Sequence, residues 1–144
     1  MVIVILGILS AFALPRFADF TGDAENSSVD GALAGVKSAS AIAHAADLAS
    51  GGSGTVTLEG TAFTLVNGYP DVANLAAIAG LDGFIVNTAS TPPIVSIDAN
   101  VGSPCFTYAN ATIAASVVTP PVISARLTYD DNATVGNLTD DACN

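Results

Sequence analysis

The first fourteen residues, MVIVILGILSAFAL, carry no charge, and Pro15 and Arg16 end the run. Four readings fit such a segment. A secretory signal peptide has an apolar region of this length, with small residues such as Ala11 and Ala13 before a cut, but no basic segment precedes it. A self-sufficient membrane-spanning helix needs roughly 20 apolar residues, and Pro15 and Arg16 arrive too early for one. The β-branched VIVIL would also suit a buried core strand or helix. The fourth reading is a helix, apolar on every side, that is buried among copies of itself.

The pattern downstream favours the fourth. Phe17, Phe20, Ala24, Val29, Leu33, Val36, Ala39, Ala43, Ala46 and Ala49 recur mostly three or four apart, the spacing of one helical face. Asp19, Asp23, Glu25, Asp30 and Lys37 fall largely off that stripe, and Ser50–Gly54, SGGSG, stops the pattern. One helix from the N-terminus to this loop would be about 75 Å long at 1.5 Å per residue. That is too long for so small a domain. Its second half can pack on a globular head, while its first half must protrude and find a partner.

From Thr55 the period falls to two. TVTLEGTAFTLVNG alternates through Val56, Leu58, then Ala62 or Phe63, and Leu65, with Glu59–Gly60 as a turn, which predicts a hairpin. YPDVANLAAIAGL predicts a short helix after Pro70 that stops at Gly80. GFIVNTASTPPIVSIDAN predicts strand, proline turn and strand. CFTYANATIAA and VISARLTYDD each read as one further strand, separated by TPPVI. A long helix laid on an antiparallel sheet is the α+β arrangement this order implies. The expected division is a protruding helix over residues 1–24 and a head over 25–144.

Charge narrows the partners. Thirteen acidic residues stand against Arg16, Lys37 and Arg126, a formal net charge of −10. Three scattered cations cannot build the basic patch that phosphate backbones require, so nucleic acid is excluded as a partner. The acidity suits a solvated outer face on a crowded or polymeric surface. Cys105 and Cys143 are the two cysteines. Beside an apolar N-terminus and a body rich in Ser and Thr, they read as a disulfide made in an oxidising compartment rather than as free thiols. Closing the long loop between them contributes roughly 4 kcal/mol on a chain-entropy model.

Catalytic chemistry finds little support. His44, the one histidine, sits in an alanine-rich helical stretch with no Cys or Ser at productive spacing. No His/Cys metal spacing occurs, and SGGSG lacks the lysine and the strand–helix context of a phosphate loop. No enzyme and no cofactor are expected. Asp130–Asp131 and Asp140–Asp141 could offer hard oxygen ligands to Ca²⁺, but without EF-type spacing they read as solvated turn residues. Asn-x-Ser/Thr sequons at Asn26, Asn110, Asn132 and Asn137 are candidate glycosylation sites.

The opening residues resemble a known family. MVIVILGILSAFALPRF, with Gly7 and Pro15 inside an apolar run, is similar to the N-terminal helix of type IV pilins. ALPRFADFTGDAE, the later LVNGYP and the placement of Cys105 and Cys143 resemble in particular the mannose-sensitive haemagglutinin group. The resemblance implies a type IV pilin fold with a disulfide-closed C-terminal region, and a major pilus subunit from a Gram-negative bacterium. It implies residence in the inner membrane before assembly, a pilus assembly machinery, and a homo-oligomeric extracellular filament used for adhesion and in some cases motility. Pilins carry a leader and an opening stretch with an early glutamate, so the resemblance places Met1 several residues into the mature helix. The residues that would line the filament are Val2, Ile3, Val4, Ile5, Leu6, Gly7, Ile8, Leu9, Phe12, Leu14, Pro15, Arg16 and Phe17. Gly7 and Pro15 bracket a segment expected to bend or unwind in the polymer, and Arg16 is expected to pair with Asp19 or Asp23. The alternatives are a type II secretion pseudopilin, whose major member carries a Ca²⁺ site, and a membrane-anchored secreted adhesin domain.

Overall fold

A computed structural model describes the backbone of residues 2–131 and 141–144, without the side chains of residues 7–19, 131 and 141. Helix α1 runs from Val2 to Ala49, 48 residues without a break, through both Gly7 and Pro15. On its second half the buried positions are Val29, Leu33, Val36, Ser40, Ala43 and Asp47. They alternate by four and three, so they form one stripe down the helix. The stripe differs from the expected one at its ends. Phe20, Ala24 and Ala49 are exposed, and Ser40 and Asp47 take buried places assigned to Ala39 and Ala46.

The hairpin expected after the glycine loop is β1 (Thr55–Leu58) paired antiparallel with β2 (Thr61–Val66), Leu58 opposite Thr61. Its turn residues Glu59 and Gly60 have φ of 51° and 83°, which matches a type I′ turn and the right-handed twist of the strands. A second tight turn, Asn67–Gly68, leads to β3 (Tyr69–Pro70), which pairs with the end of β2.

Helix α2 (Val72–Ala79) ends at Gly80, whose left-handed conformation lets the Leu81 N–H donate to the Ala76 carbonyl at 2.9 Å. Its start is capped from a distance. The side chain of Asp71, the residue before the helix, makes no capping bond; instead Oδ1 of Asn110 accepts from the Val72 N–H at 3.0 Å.

The main sheet contains β4 (Ile85–Asn87), β5 (Ile94–Ser96), β6 (Pro104–Ala109), β9 (Val122–Ile123), β10 (Leu127–Asp131) and β11 (Asp141–Cys143). Its order is β11-β10-β6-β5-β4, with β9 paired to the far end of β6. Two expected strands are therefore each divided. CFTYANATIAA becomes β6 and a separate β7 (Thr112–Ala114), because Asn110 and Ala111 leave the ladder to hold α2 and the Asn67 turn. VISARLTYDD becomes β9 and β10, because Ser124 turns its hydroxyl onto the β6 backbone, accepting from the Thr107 N–H at 2.9 Å. β7 pairs with β8 (Val117–Thr119) in a two-stranded hairpin outside the main sheet.

The core lies between α1 and these layers. Val29, Leu33 and Val36 pack with Leu75, Leu81, Val95, Phe106 and Tyr108. A second cluster joins Ala43 to Val56 and Leu65 of the hairpin. A third surrounds the disulfide: Cys105 and Cys143, 38 positions apart and bonded, lie with Ile94 and Tyr129. The bond fastens edge strand β11 to the centre of the sheet. This is the α+β layout expected from the sequence, and with its long N-terminal helix and bridged C-terminal region it is the arrangement of the type IV pilin fold.

Candidate assembly surface

The N-terminal end of α1 presents apolar side chains to solvent on consecutive positions. Val2, Ile3, Val4, Ile5 and Leu6 are 58% to 85% exposed. A helix turns about 100° per residue, so five successive exposed residues cover every side of it. Among the described residues, Val29 is the first of α1 to be fully buried against the head. At 1.5 Å per residue the helix before it extends for about 40 Å. The uncharged run over residues 1–14 makes up about half of that length, and it is unfavourable in water, since each large apolar side chain left unburied forgoes roughly 1.5–3 kcal/mol. Among the described residues no helix is long and apolar enough to cross a membrane. The remaining filament candidates, Gly7, Ile8, Leu9, Phe12, Leu14, Pro15, Arg16 and Phe17, lie on the helix with side chains outside the described residues. The expected Arg16 pairing lies there too.

What the rod needs at its other end is a firm grip on the head, and three contacts supply it. His44 Nδ1 lies 2.9 Å from the Gly68 carbonyl, which can only accept, so this nitrogen carries the proton. The imidazole stacks on the Tyr69 ring with centroids 4.0 Å apart and planes 9° from parallel. Asp47, 4% exposed, accepts from the Gly54 N–H at 2.8 Å through Oδ1. One turn of α1 thus holds both the glycine loop and the Asn67–Gly68 turn. Gly68 is required there on two counts. Its φ is +81°, and a Cβ would meet Nδ1 of His44 and Oδ2 of Asp47, each at 3.2 Å. Asn67 fastens the same turn outward by donating from Nδ2 to the Ala111 carbonyl at 2.8 Å. The LVNGYP segment is therefore the socket for the helix end.

Two further ties run from α1 to the sheet. Arg126 forms an ion pair with Asp30 and donates to the Asn26 carbonyl at 3.3 Å. The Tyr108 hydroxyl, wholly buried, donates to the Pro70 carbonyl at 2.6 Å and also hydrogen-bonds Ser40. Burial pushes the Tyr108 phenol up to about 12; the Ser40 hydrogen bond opposes that rise and the Asp71 charge adds to it.

Sequence reasoning missed these ties for identifiable reasons. Asp47 follows His44 by three positions, the signal of a shared helix face, but a carboxylate off the alanine stripe looks solvent-facing until the loop amide it accepts is known. Arg126 and Asp30 are 96 positions apart, and only the fold brings them together.

The remaining candidates are dispersed. Asn26 is half-buried on α1. Asn110 is half-buried too, with Nδ2 donating to Asp71 at 2.7 Å. Asn132 and Asn137 lie outside the described residues, as does Asp140. The register of β10 and β11 sets Asp131 opposite Asp141 and Asp130 opposite Ala142. Among the described residues no group of three or more His, Cys, Asp or Glu is placed to hold a metal ion.

Comparison with known proteins gives the surface a context. The chain is 56% identical over 43 residues to the type IV narrow pilus major component PilA5 of Thermus thermophilus. That stretch is 30% of this chain and 37% of the relative, so the chain spans little more than a third of the curated protein it matches. No family model matches, and no solved structure does. The resemblance to type IV pilins read from the opening residues is thus shown. It stands at the level of the pilins, since the relative is a narrow-pilus component rather than a haemagglutinin pilin.

Proposed function

We propose that this chain is the repeating subunit of a type IV pilus. It resides in the inner membrane before assembly and is moved by a pilus assembly machinery into a helical surface filament of identical copies. The observation that carries the reading is the apolar N-terminal end of α1, exposed on all sides and far from the core of its own chain. The likeness to a narrow-pilus major component supports it. Adhesion is the use the resemblance implies for such a filament.

Assembly exchanges a lipid environment for a protein one around residues 1–14, so little hydrophobic energy is gained in the exchange. Close helix packing must supply the difference, and Gly7, Ser10, Ala11 and Ala13 are small enough to permit it. In the filament the segment between Gly7 and Pro15 bends or unwinds, because Pro15 removes a backbone donor there and clashes one turn earlier. Arg16, at the boundary of the apolar run, pairs with Asp19 or Asp23 of its own or a neighbouring copy.

Negative-stain electron microscopy of the full-length chain released from detergent tests the reading. Uniform thin filaments are the expected result. Isolated globules whose first residues fold back on the head would overturn it, and would favour an anchored adhesin domain instead.

A further inference from the structure

The turn that seats the end of α1 also carries the chain's most reactive asparagine. Asn67 is the one asparagine followed by glycine. An asparagine loses ammonia when the next residue's backbone nitrogen attacks its side-chain carbonyl carbon, and a glycine there puts no Cβ in the way. Every other asparagine except the terminal Asn144 precedes a residue that carries one. Water, the second reactant, has access, because Asn67 and Gly68 are half-buried and line an open hollow of about 500 Å³.

The fold restrains the reaction. Asn67 and Gly68 form a two-residue turn at φ of 55° and 81°, between the paired residues Val66 and Tyr69. The Asn67 carboxamide is anchored through Nδ2 to the Ala111 carbonyl, 44 positions away, and the Gly68 carbonyl accepts from His44. The side chain swings onto the Gly68 nitrogen only when these bonds part, which is a local opening and not an unfolding of the head.

We propose that Asn67 is a site of spontaneous deamidation, and that the grip of His44 on the turn sets its rate. The Gly68 nitrogen gives up its proton to water and bonds to Cγ of Asn67. The Cγ–Nδ2 bond breaks and ammonia leaves, which closes a succinimide ring. Water then opens the ring at Cγ to give aspartate, or at the backbone carbonyl carbon to give isoaspartate, whose main chain runs through Cγ.

Either product undoes the turn. Aspartate has no N–H to offer Ala111 and sets a carboxylate against that carbonyl. The new charge also stands next to Gly68, against which the Asp47 carboxylate already lies. Isoaspartate adds a backbone atom to a two-residue link between paired strands, which their register does not accommodate. The socket for α1 therefore loosens irreversibly with time. The chemistry is independent of how copies assemble, so its failure leaves the pilin reading untouched.

Peptide mass mapping of the full-length chain in detergent, held at mildly alkaline pH, tests this, with an isolated LVNGYP peptide as the unrestrained reference. The fragment holding Asn67 should gain the mass difference between a hydroxyl and an amino group, and should become a substrate for an isoaspartyl methyltransferase. His44→Phe keeps a ring against Tyr69 but loses the donor, and should speed the reaction about two- to tenfold. In the wild type, the slowing relative to the peptide should be at least about tenfold smaller than the exchange protection of the Tyr108 amide. That amide donates to the Pro93 carbonyl at 2.9 Å, in the core of the head. Slowing as large as its protection would mean that the whole head must unfold, and would overturn the gating. So would an unchanged rate in His44→Phe, or a folded chain that reacts as fast as the peptide. Asn67→Asp, the product made directly, should quicken hydrogen exchange in the β7–β8 hairpin about two- to tenfold. Exchange equal to that of the wild type would overturn the loosening.

Discussion

His44 Nδ1 donates to the carbonyl of Gly68, 24 positions away in sequence, at 2.9 Å. This bond ties the C-terminal end of a 48-residue helix to its head. The imidazole is held flat against Tyr69, and Asp47 one turn later grips the glycine loop. One face of the last turns of α1 is therefore tied to two separate loops.

Gly68→Ala should cost about 2–4 kcal/mol, measured as a shift in the urea midpoint. Part of that is left-handed strain at φ +81°, roughly 1–2 kcal/mol. The rest arises because the new methyl meets the His44 ring nitrogen and the Asp47 carboxylate. Gly83→Ala is the control, with φ +86° and open space around its Cβ. Equal costs for the two variants would show that the close approach at Gly68 has no energetic consequence.

Removing the Cys105–Cys143 bond by Cys143→Ser should destabilise the head by about 2–5 kcal/mol. The bond closes a separation of 38 positions, and edge strand β11 pairs only with β10 among the described residues. Thermal melts with and without reductant check this. The wild type should fall to the variant's Tm in reductant, while the variant should be indifferent to it. An unchanged melt on reduction would mean β11 holds to β10 without its bridge.

These two sites mark how far the sequence reaches. The β1–β2 hairpin, the Gly80 stop and the cysteine pair are local or arithmetical signals, and the folded chain follows them. The division of the two long strand candidates is not local. Asn110 leaves the ladder because Val72, 38 positions earlier, needs a cap, and no periodicity count registers that demand. Ser40 and Asp47 are a similar case. They join the buried stripe because Tyr108 and Gly54 offer partners, and a polar residue without a visible partner reads as solvent-facing.

The Arg126–Asp30 pair is the most conspicuous tie between the sheet and the outer face of α1, yet it should contribute little. Its side chains are 36% and 55% exposed, and pairs so solvated contribute about 0–1 kcal/mol. Arg126→Gln should therefore lower the urea midpoint only slightly, and the difference should shrink further in 1 M salt, where the screening length is about 3 Å. A loss above about 2 kcal/mol would show instead that the guanidinium's bond to the Asn26 carbonyl is the larger contribution.

Tyr108 should govern stability at high pH. Burial holds its phenol neutral to about 12, against 10.0 for an ordinary tyrosine. Between those values the unfolded chain releases this proton and the folded chain keeps it, so the folded state binds more protons and stability must fall as pH rises. The decline begins near pH 10 and is complete near pH 12. Tyr108→Phe removes that slope. At neutral pH the variant should be about 1–2 kcal/mol less stable, because the Pro70 carbonyl and the Ser40 hydroxyl lose their partner. Denaturant midpoints of the two proteins should draw together as pH rises through this window. Parallel curves would mean that Tyr108 ionises in the folded head as easily as it does in water.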